Sequence, residues 1–162
     1  MNRLVTVHGF NCYGRPSRVT LKFDDNKKLL NPGNVARSSM VGWGRWQASE
    51  KIPCKYGSTW WVSTSGHGGY ILVCQEDYDG IFPMLSLDVE EEMGKCRVYE
   101  FEEDCNWAIL EYHDELVRSY RLSQVNETRK SRGEDPFSDE EYLKLRVIPC
   151  LERWNPEVIH AN

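Results

Sequence analysis

At 162 residues, with 40% hydrophobic and 28% charged side chains, the chain has the size and composition of one globular domain, which excludes wholesale disorder and two comfortable cores. A net charge of −5 and a pI near 5.4 exclude the broad attraction that non-specific nucleic-acid binding needs. No run approaches the roughly eighteen apolar residues of a membrane helix, and the apolar stretch near Met1 is too short for a signal peptide, so the expected location is cytoplasmic, with no membrane and no direct nucleic-acid partner.

In chain order, Leu4 to Val7 and Val19 to Phe23 carry the β-branched and aromatic content of short strands, joined by a turn at Gly14 and Pro16. Asp24 to Met40 is polar and rich in Asn, Lys, Gly and Ser and reads as a mobile connector. The expected organisation is an N-terminal hairpin and connector over 1–40 and a main domain over 41–162, around one core. Trp60 to Thr64 and Tyr70 to Cys74 read as strands of a hairpin around Ser65-Gly66-His67-Gly68-Gly69. A polar or helical segment is expected over Ser86 to Met93, then a strand at Arg97 to Phe101.

From Asp104 the period turns helical: Ile109, Tyr112, Leu116 and Tyr120 share one face, with Asp104 as N-cap and the helix running to about Lys130. Gly133 and Pro136 stop it. Ser138-Asp139-Glu140-Glu141 is a capping-box start for a second helix through about Val147, after which Pro149 and Pro156 leave an irregular tail. The fold class is therefore α+β: a small, mostly antiparallel sheet packed against one long and one shorter C-terminal helix.

Two clusters carry the candidate chemistry. Glycines around His67 permit unusual backbone conformations and close approach of a ligand or partner, with Thr64, Gly68 and Gly69 beside the imidazole; a tight hairpin with a hydrogen-bonded histidine is the structural alternative. Cys105 in a first helical turn gains thiolate stabilisation from free N–H groups, while Glu102, Glu103 and Asp104 oppose a second anion. If the two clusters meet, Cys105 would attack, His67 accept its proton and Asp104 or Glu103 orient the imidazole.

The six cysteines are spread through a chain able to build a core, so free thiols are expected. None stands at structural-zinc spacing and no histidine pair lies one helical turn apart, so no metal site is expected. Absence of a Walker-type loop or dinucleotide fingerprint leaves no expected cofactor. Trp43 and Trp60, with His67, offer a stacking surface for a small nucleotide, against the alternative of core packing. The acidic runs at 76–79, at 88–92 including Glu90, Glu91 and Glu92, and at 100–104 read as solvated faces or as a surface that meets a basic partner.

The stretches Trp43-Gly44, Ser63 to Gly69 and Glu102-Glu103-Asp104-Cys105-Asn106-Trp107-Ala108 resemble an uncharacterised family of bacteriophage and plasmid proteins, marked by a Thr-x-x-His-Gly-Gly hairpin and a Glu-Glu-Asp-Cys-x-Trp helix start, over about 70 of the 162 residues. Tyr112-His113 departs from that pattern, where the family tends toward Phe-Pro. Trp60 to Leu72 is also distantly similar to plasmid antirestriction proteins. The resemblance implies a phage or mobile-element accessory protein that binds and inhibits a host protein, such as a restriction or CRISPR component, without catalysis. The alternatives are a Cys-His hydrolase or transferase and a small nucleotide-signal-binding protein. Oligomeric state is not legible.

Overall fold

The structure, a computed structural model, describes residues 3–10, 16–26, 29–30, 40–41, 44–45, 47–82, 85–91 and 94–160, with side chains at 24–26, 47–82 and 97–160. Strands β1 (Arg3–Phe10) and β2 (Pro16–Phe23) form an antiparallel hairpin with Val7 opposite Val19. The two-residue strands β3 (Leu29–Leu30) and β4 (Met40–Val41) pair with β2, and β5 (Gly44–Arg45) pairs with β4. Short strands thus punctuate the segment expected as a connector; residues 31–39 lie outside the described set.

The second sheet has the order β6 (Ala48–Ile52), β7 (Ser58–Ser63), β8 (Gly68–Cys74), β10 (Gly94–Glu102) and β9 (Leu85–Glu91), every neighbour antiparallel. All of β8 is buried, which accounts for its unbroken Tyr-Ile-Leu-Val-Cys run: a central strand covered on both faces has no polar side to alternate with. The segment at Ser86 to Met93, expected as polar or helical, is instead β9 over Leu85–Glu91. Leu85, Leu87 and Val89 alternate with Ser86, Asp88 and Glu90, a period of two that the acidic content obscured.

Residues directly opposite in the ladder share a face. Tyr70, Leu72, Cys74, Tyr99 and Phe101 pack against the helices, meeting Ile109, Leu110, Val117, Tyr142, Val147 and Leu151. Trp60, Val62, Ile71, Val73 and Val98 are buried on the other face. Phe82 sits in an aromatic knot, edge-on to Tyr56, Tyr99 and Phe101 at 5.1, 5.5 and 5.5 Å between centroids.

The single helix expected from Asp104 to Lys130 is two: α1 (Trp107–His113) and α2 (Glu115–Ser131). Asp104 is not a cap. Asn106 precedes α1 without a side-chain cap, and the capping carboxylate is Asp114, which accepts from Leu116 N at 3.0 Å and Val117 N at 3.3 Å. The break resets the helical phase, so Val117 is buried while Leu116, placed on the buried face by a continuous period, is exposed. Gly133, at φ 73°, ends α2, with Gly133 N donating to Lys130 O and Glu134 N to Arg129 O.

Ser138 and Glu141 form the reciprocal capping box that opens α3 (Asp139–Tyr142). The helix does not stop near Val147. It passes through a π-helical turn at Leu143–Val147 into α4 (Ile148–Trp154), followed by α5 (Glu157–His160). The wide turn lets Pro149, which has no N–H to give, sit in the first turn of α4 instead of ending the helix.

Candidate functional site

The β7–β8 hairpin closes through Thr64. Thr64 N donates to His67 O at 2.8 Å, and the Thr64 hydroxyl lies 3.2 Å from that carbonyl and 3.3 Å from His67 N. At Gly68 a side chain is excluded by packing: a Cβ there would stand 2.8 Å from the Trp61 ring. None of the hairpin glycines has positive φ, so unusual backbone conformation is not their use; close approach is required at Gly68, while a Cβ at Gly66 would meet nothing within 4 Å.

Glu103 N donates to Gly68 O at 3.0 Å, tying the turn after β10 to the hairpin. His67 Nδ1 consequently lies 3.8 Å from both Glu103 Oε1 and Asp104 Oδ2, and donor atoms of His67, Glu102 and Asp104 fall within 4.8 Å of one another. The histidine and the acids therefore share one exposed ridge.

Cys105 precedes α1 rather than opening it. Burial pushes its thiol up to about 11, and Glu102, Asp104 and Cys150 push in the same direction. A nucleophilic cysteine needs its thiolate near neutral pH, and this setting suppresses it. Cys54, Cys74, Cys105 and Cys150 are free thiols; Cys12 lies outside the described residues, as does the side chain of Cys96.

Trp60 is 2% exposed on the sheet face opposite Trp61 and cannot stack on a ligand. Trp43 and Glu92 lie outside the described residues; Glu90 and Glu91 stand opposite Lys95 and Gly94 on the β9–β10 ladder, their side chains not described. Of the remaining acids, Asp77 and Asp79 hold the buried Arg97 at 3.2 and 3.0 Å. Arg97 and Glu102 are at opposite ends of their stretch of β10, about 17 Å apart at the usual rise of a strand. The run at 76–79 and the run at 102–104 are therefore separate surfaces.

Beside the ridge opens a cleft of about 460 Å³ between β7, the turn at 103–106 and the helices. At its floor lies Glu111, 1% exposed, accepting the Tyr142 hydroxyl on Oε1 at 2.6 Å and the Tyr70 hydroxyl on Oε2 at 2.8 Å. Burial raises this carboxyl to about 7, against the opposing pull of the two hydroxyls and of Arg121 and Arg118. Both tyrosines are held protonated by their own burial and by the adjacent carboxyl.

Trp61, Trp107 and Tyr142 supply the aromatic walls and Arg121 and Arg146 the positive charge. Arg121 lies 4.9 Å over the Trp61 ring and donates to Gln124 Oε1 at 3.1 Å. Trp61 in turn meets Tyr70 edge-on at 4.9 Å. Trp107 is half-buried at the start of α1 and packs against the core. Arg118 grips both Asp139 carboxylate oxygens at 2.7 and 3.2 Å and donates to Glu111 O at 2.9 Å, which fixes α3, and with it Tyr142, against the end of α1.

Sequence reasoning placed His67, Glu103 and Asp104 at this locality but missed Glu111, Arg121, Tyr142 and Arg146. One signal was present: Glu111 follows Ala108, Ile109 and Leu110 within an apolar stretch, and a charged residue there is rarely buried without a partner. Its partners Tyr70 and Tyr142, 41 and 31 residues away, carry no local signal.

Comparison with family models, with curated proteins and with solved structures finds no match for this chain.

Proposed function

We propose that this is a binding protein that works without bond-making chemistry, and that its receptor site is the cleft floored by Glu111. The observation that carries the reading is a buried carboxyl, held by two tyrosine hydroxyls, at the bottom of an open cleft with aromatic walls and two arginines. Perturbed titratable groups and convergent polar groups in a concave site are the usual marks of ligand binding. The raised Cys105 thiol gives no support to a Cys-His hydrolase or transferase.

A thermal-shift panel of nucleotides, amino acids, sugar phosphates and short charged peptides tests the cleft. At least one class stabilises the wild type and loses its effect in Trp107→Ala. Stabilisation by none of them, or stabilisation that Trp107→Ala leaves intact, overturns the reading.

A second reading is that of a phage or mobile-element accessory protein that binds and inhibits a host protein, such as a restriction or CRISPR component. It is supported by the resemblance of the hairpin and turn motifs and by the lip of the cleft, where Glu103 and Asp104 have, among the described residues, only His67 as a basic neighbour at ion-pair distance. Asp77 and Asp79, spent on Arg97, are poor candidates for the contact. Capture of a host protein that is lost on double reversal of Glu103 and Asp104 to lysine supports the inhibitor; capture that survives the reversal removes this surface from it.

A further inference from the structure

We propose that the cleft takes a small zwitterion of the amino-acid or short-peptide class, its ammonium at Glu103 and Asp104, its carboxylate at Arg121 and Arg146, and an aromatic side chain against Trp61 and Trp107. The proposal rests on the reading of the cleft as a receptor site and names its occupant. Glu111 takes no part in the contact: it is 1% exposed and each of its oxygens accepts a tyrosine hydroxyl, so the groups a ligand meets are those of the walls.

Those walls carry both signs of charge. Glu103 and Asp104 belong to the turn between β10 and α1, which the Glu103 amide ties to Gly68 of the hairpin. Arg121 is on α2 and Arg146 on the π-helical turn, and both act on the Tyr142 hydroxyl, drawing its pKa down against the effect of burial. The four groups do not neutralise one another. Among the described residues neither guanidinium has a carboxylate at ion-pair distance: Arg121 contacts Gln124 and the Trp61 ring, and Arg146 the Phe137 ring. The two acids have only His67, whose Nδ1 stands 3.8 Å from each, beyond hydrogen-bond reach.

Such a cleft discriminates by charge. An anion drawn to the arginines is repelled by Glu103 and Asp104, and a cation drawn to the acids is repelled by the arginines; a ligand with one charge of each sign satisfies both walls. An ammonium supplies three donors and no acceptor, which suits two carboxylates, and a carboxylate accepts the paired N–H groups of a guanidinium. Trp61 and Trp107 are half-buried and offer indole surface to an aromatic side chain. The volume of about 460 Å³ falls within the range of about 300–1,000 Å³ usual for small-molecule sites.

Isothermal titration of the full chain with phenylalanine, glycyl-phenylalanyl-glycine, the N-acetyl and C-amide forms of each, and adenosine monophosphate tests this. At least one zwitterion binds, the tighter of the two fixing the ligand's length, and blocking its ammonium or its carboxylate weakens it about tenfold, the scale of one charge-assisted contact. Arg146→Ala, an exposed position, weakens the zwitterion about tenfold and does not weaken the C-amide. The double variant Glu103→Gln, Asp104→Asn weakens the zwitterion likewise and does not weaken the N-acetyl form. Equal binding of blocked and unblocked forms overturns the zwitterion and leaves the cleft as receptor, as does binding of adenosine monophosphate alone. Binding of no ligand overturns the occupant, and the receptor reading then stands or falls on the thermal-shift panel and Trp107→Ala.

Discussion

Glu111 and Asp114 are both buried carboxyls at the end of α1, 1% and 0% exposed, and their partners divide them. Asp114 is surrounded by donors that are part of the fold: the amides of Leu116, Val117 and Lys55, and the Cys54 thiol at 3.0 Å. Those contacts cap α2 and tie the segment after β6 to the helix junction. Glu111 is held by two side-chain hydroxyls on separate elements and faces a cleft. A carboxylate satisfied by backbone amides is structural cement; one closed off by tyrosine hydroxyls beneath an open space sets the floor of that space.

The comparison predicts unequal responses to mutation. Asp114→Ala strands the cap of α2 and the Lys55 amide together and should cost about 3–4 kcal/mol in urea denaturation, while Asp114→Asn, still a capping residue, should cost about half as much. A cost below about 1 kcal/mol for the alanine would remove the structural half of the contrast.

Glu111→Gln should reveal a pH dependence instead. The folded carboxyl titrates at about 7 against 4.5 for the free group, so the folded state retains its proton more tightly. The stability from this group is fully present below about pH 4.5 and is lost as pH rises through about 7. Wild type should therefore lose about 2–3 kcal/mol relative to Glu111→Gln between pH 4.5 and 8, and parallel pH profiles would show that the carboxyl is not buried as described.

Smaller effects sharpen the same division. Asp79 accepts the Tyr99 hydroxyl at 2.6 Å and pairs with Arg97, but it is itself exposed, so Asp79→Asn should cost about 1 kcal/mol in thermal unfolding. His67→Ala, on the exposed ridge, should change stability by less than about 0.5 kcal/mol. It should also leave iodoacetamide labelling of Cys105 unchanged, with that thiol unreactive until well above pH 9. Rapid labelling at pH 7 that depends on His67 would restore the dyad.

Much of the fold was legible because its signals are local. The β-branched and aromatic runs and the glycines of Ser58 to Cys74, the hairpin of β1 and β2, Gly133 after α2 and the Ser138 capping box all lie within a few residues of what they determine. The break at Asp114 was also written locally, as an N-cap residue ahead of Glu115 and Val117, but an apolar period continuing through Leu116 and Tyr120 masked it. β9 was hidden by its acids. The site was half legible: His67, Glu103 and Asp104 belong to short motifs, whereas the Glu111 floor exists only once β8, α1 and α3 are brought together, and no periodicity in one segment reports a partner in another.

The most direct measurement is a carbon-13 NMR titration of the Glu111 side-chain carboxyl in the full chain, assigned by its loss in Glu111→Gln. A midpoint near 7 is the result predicted for a dry carboxyl beneath an open cleft. A midpoint at the ordinary 4.5 would mean that bulk water already solvates it, and the receptor site as described here would not exist.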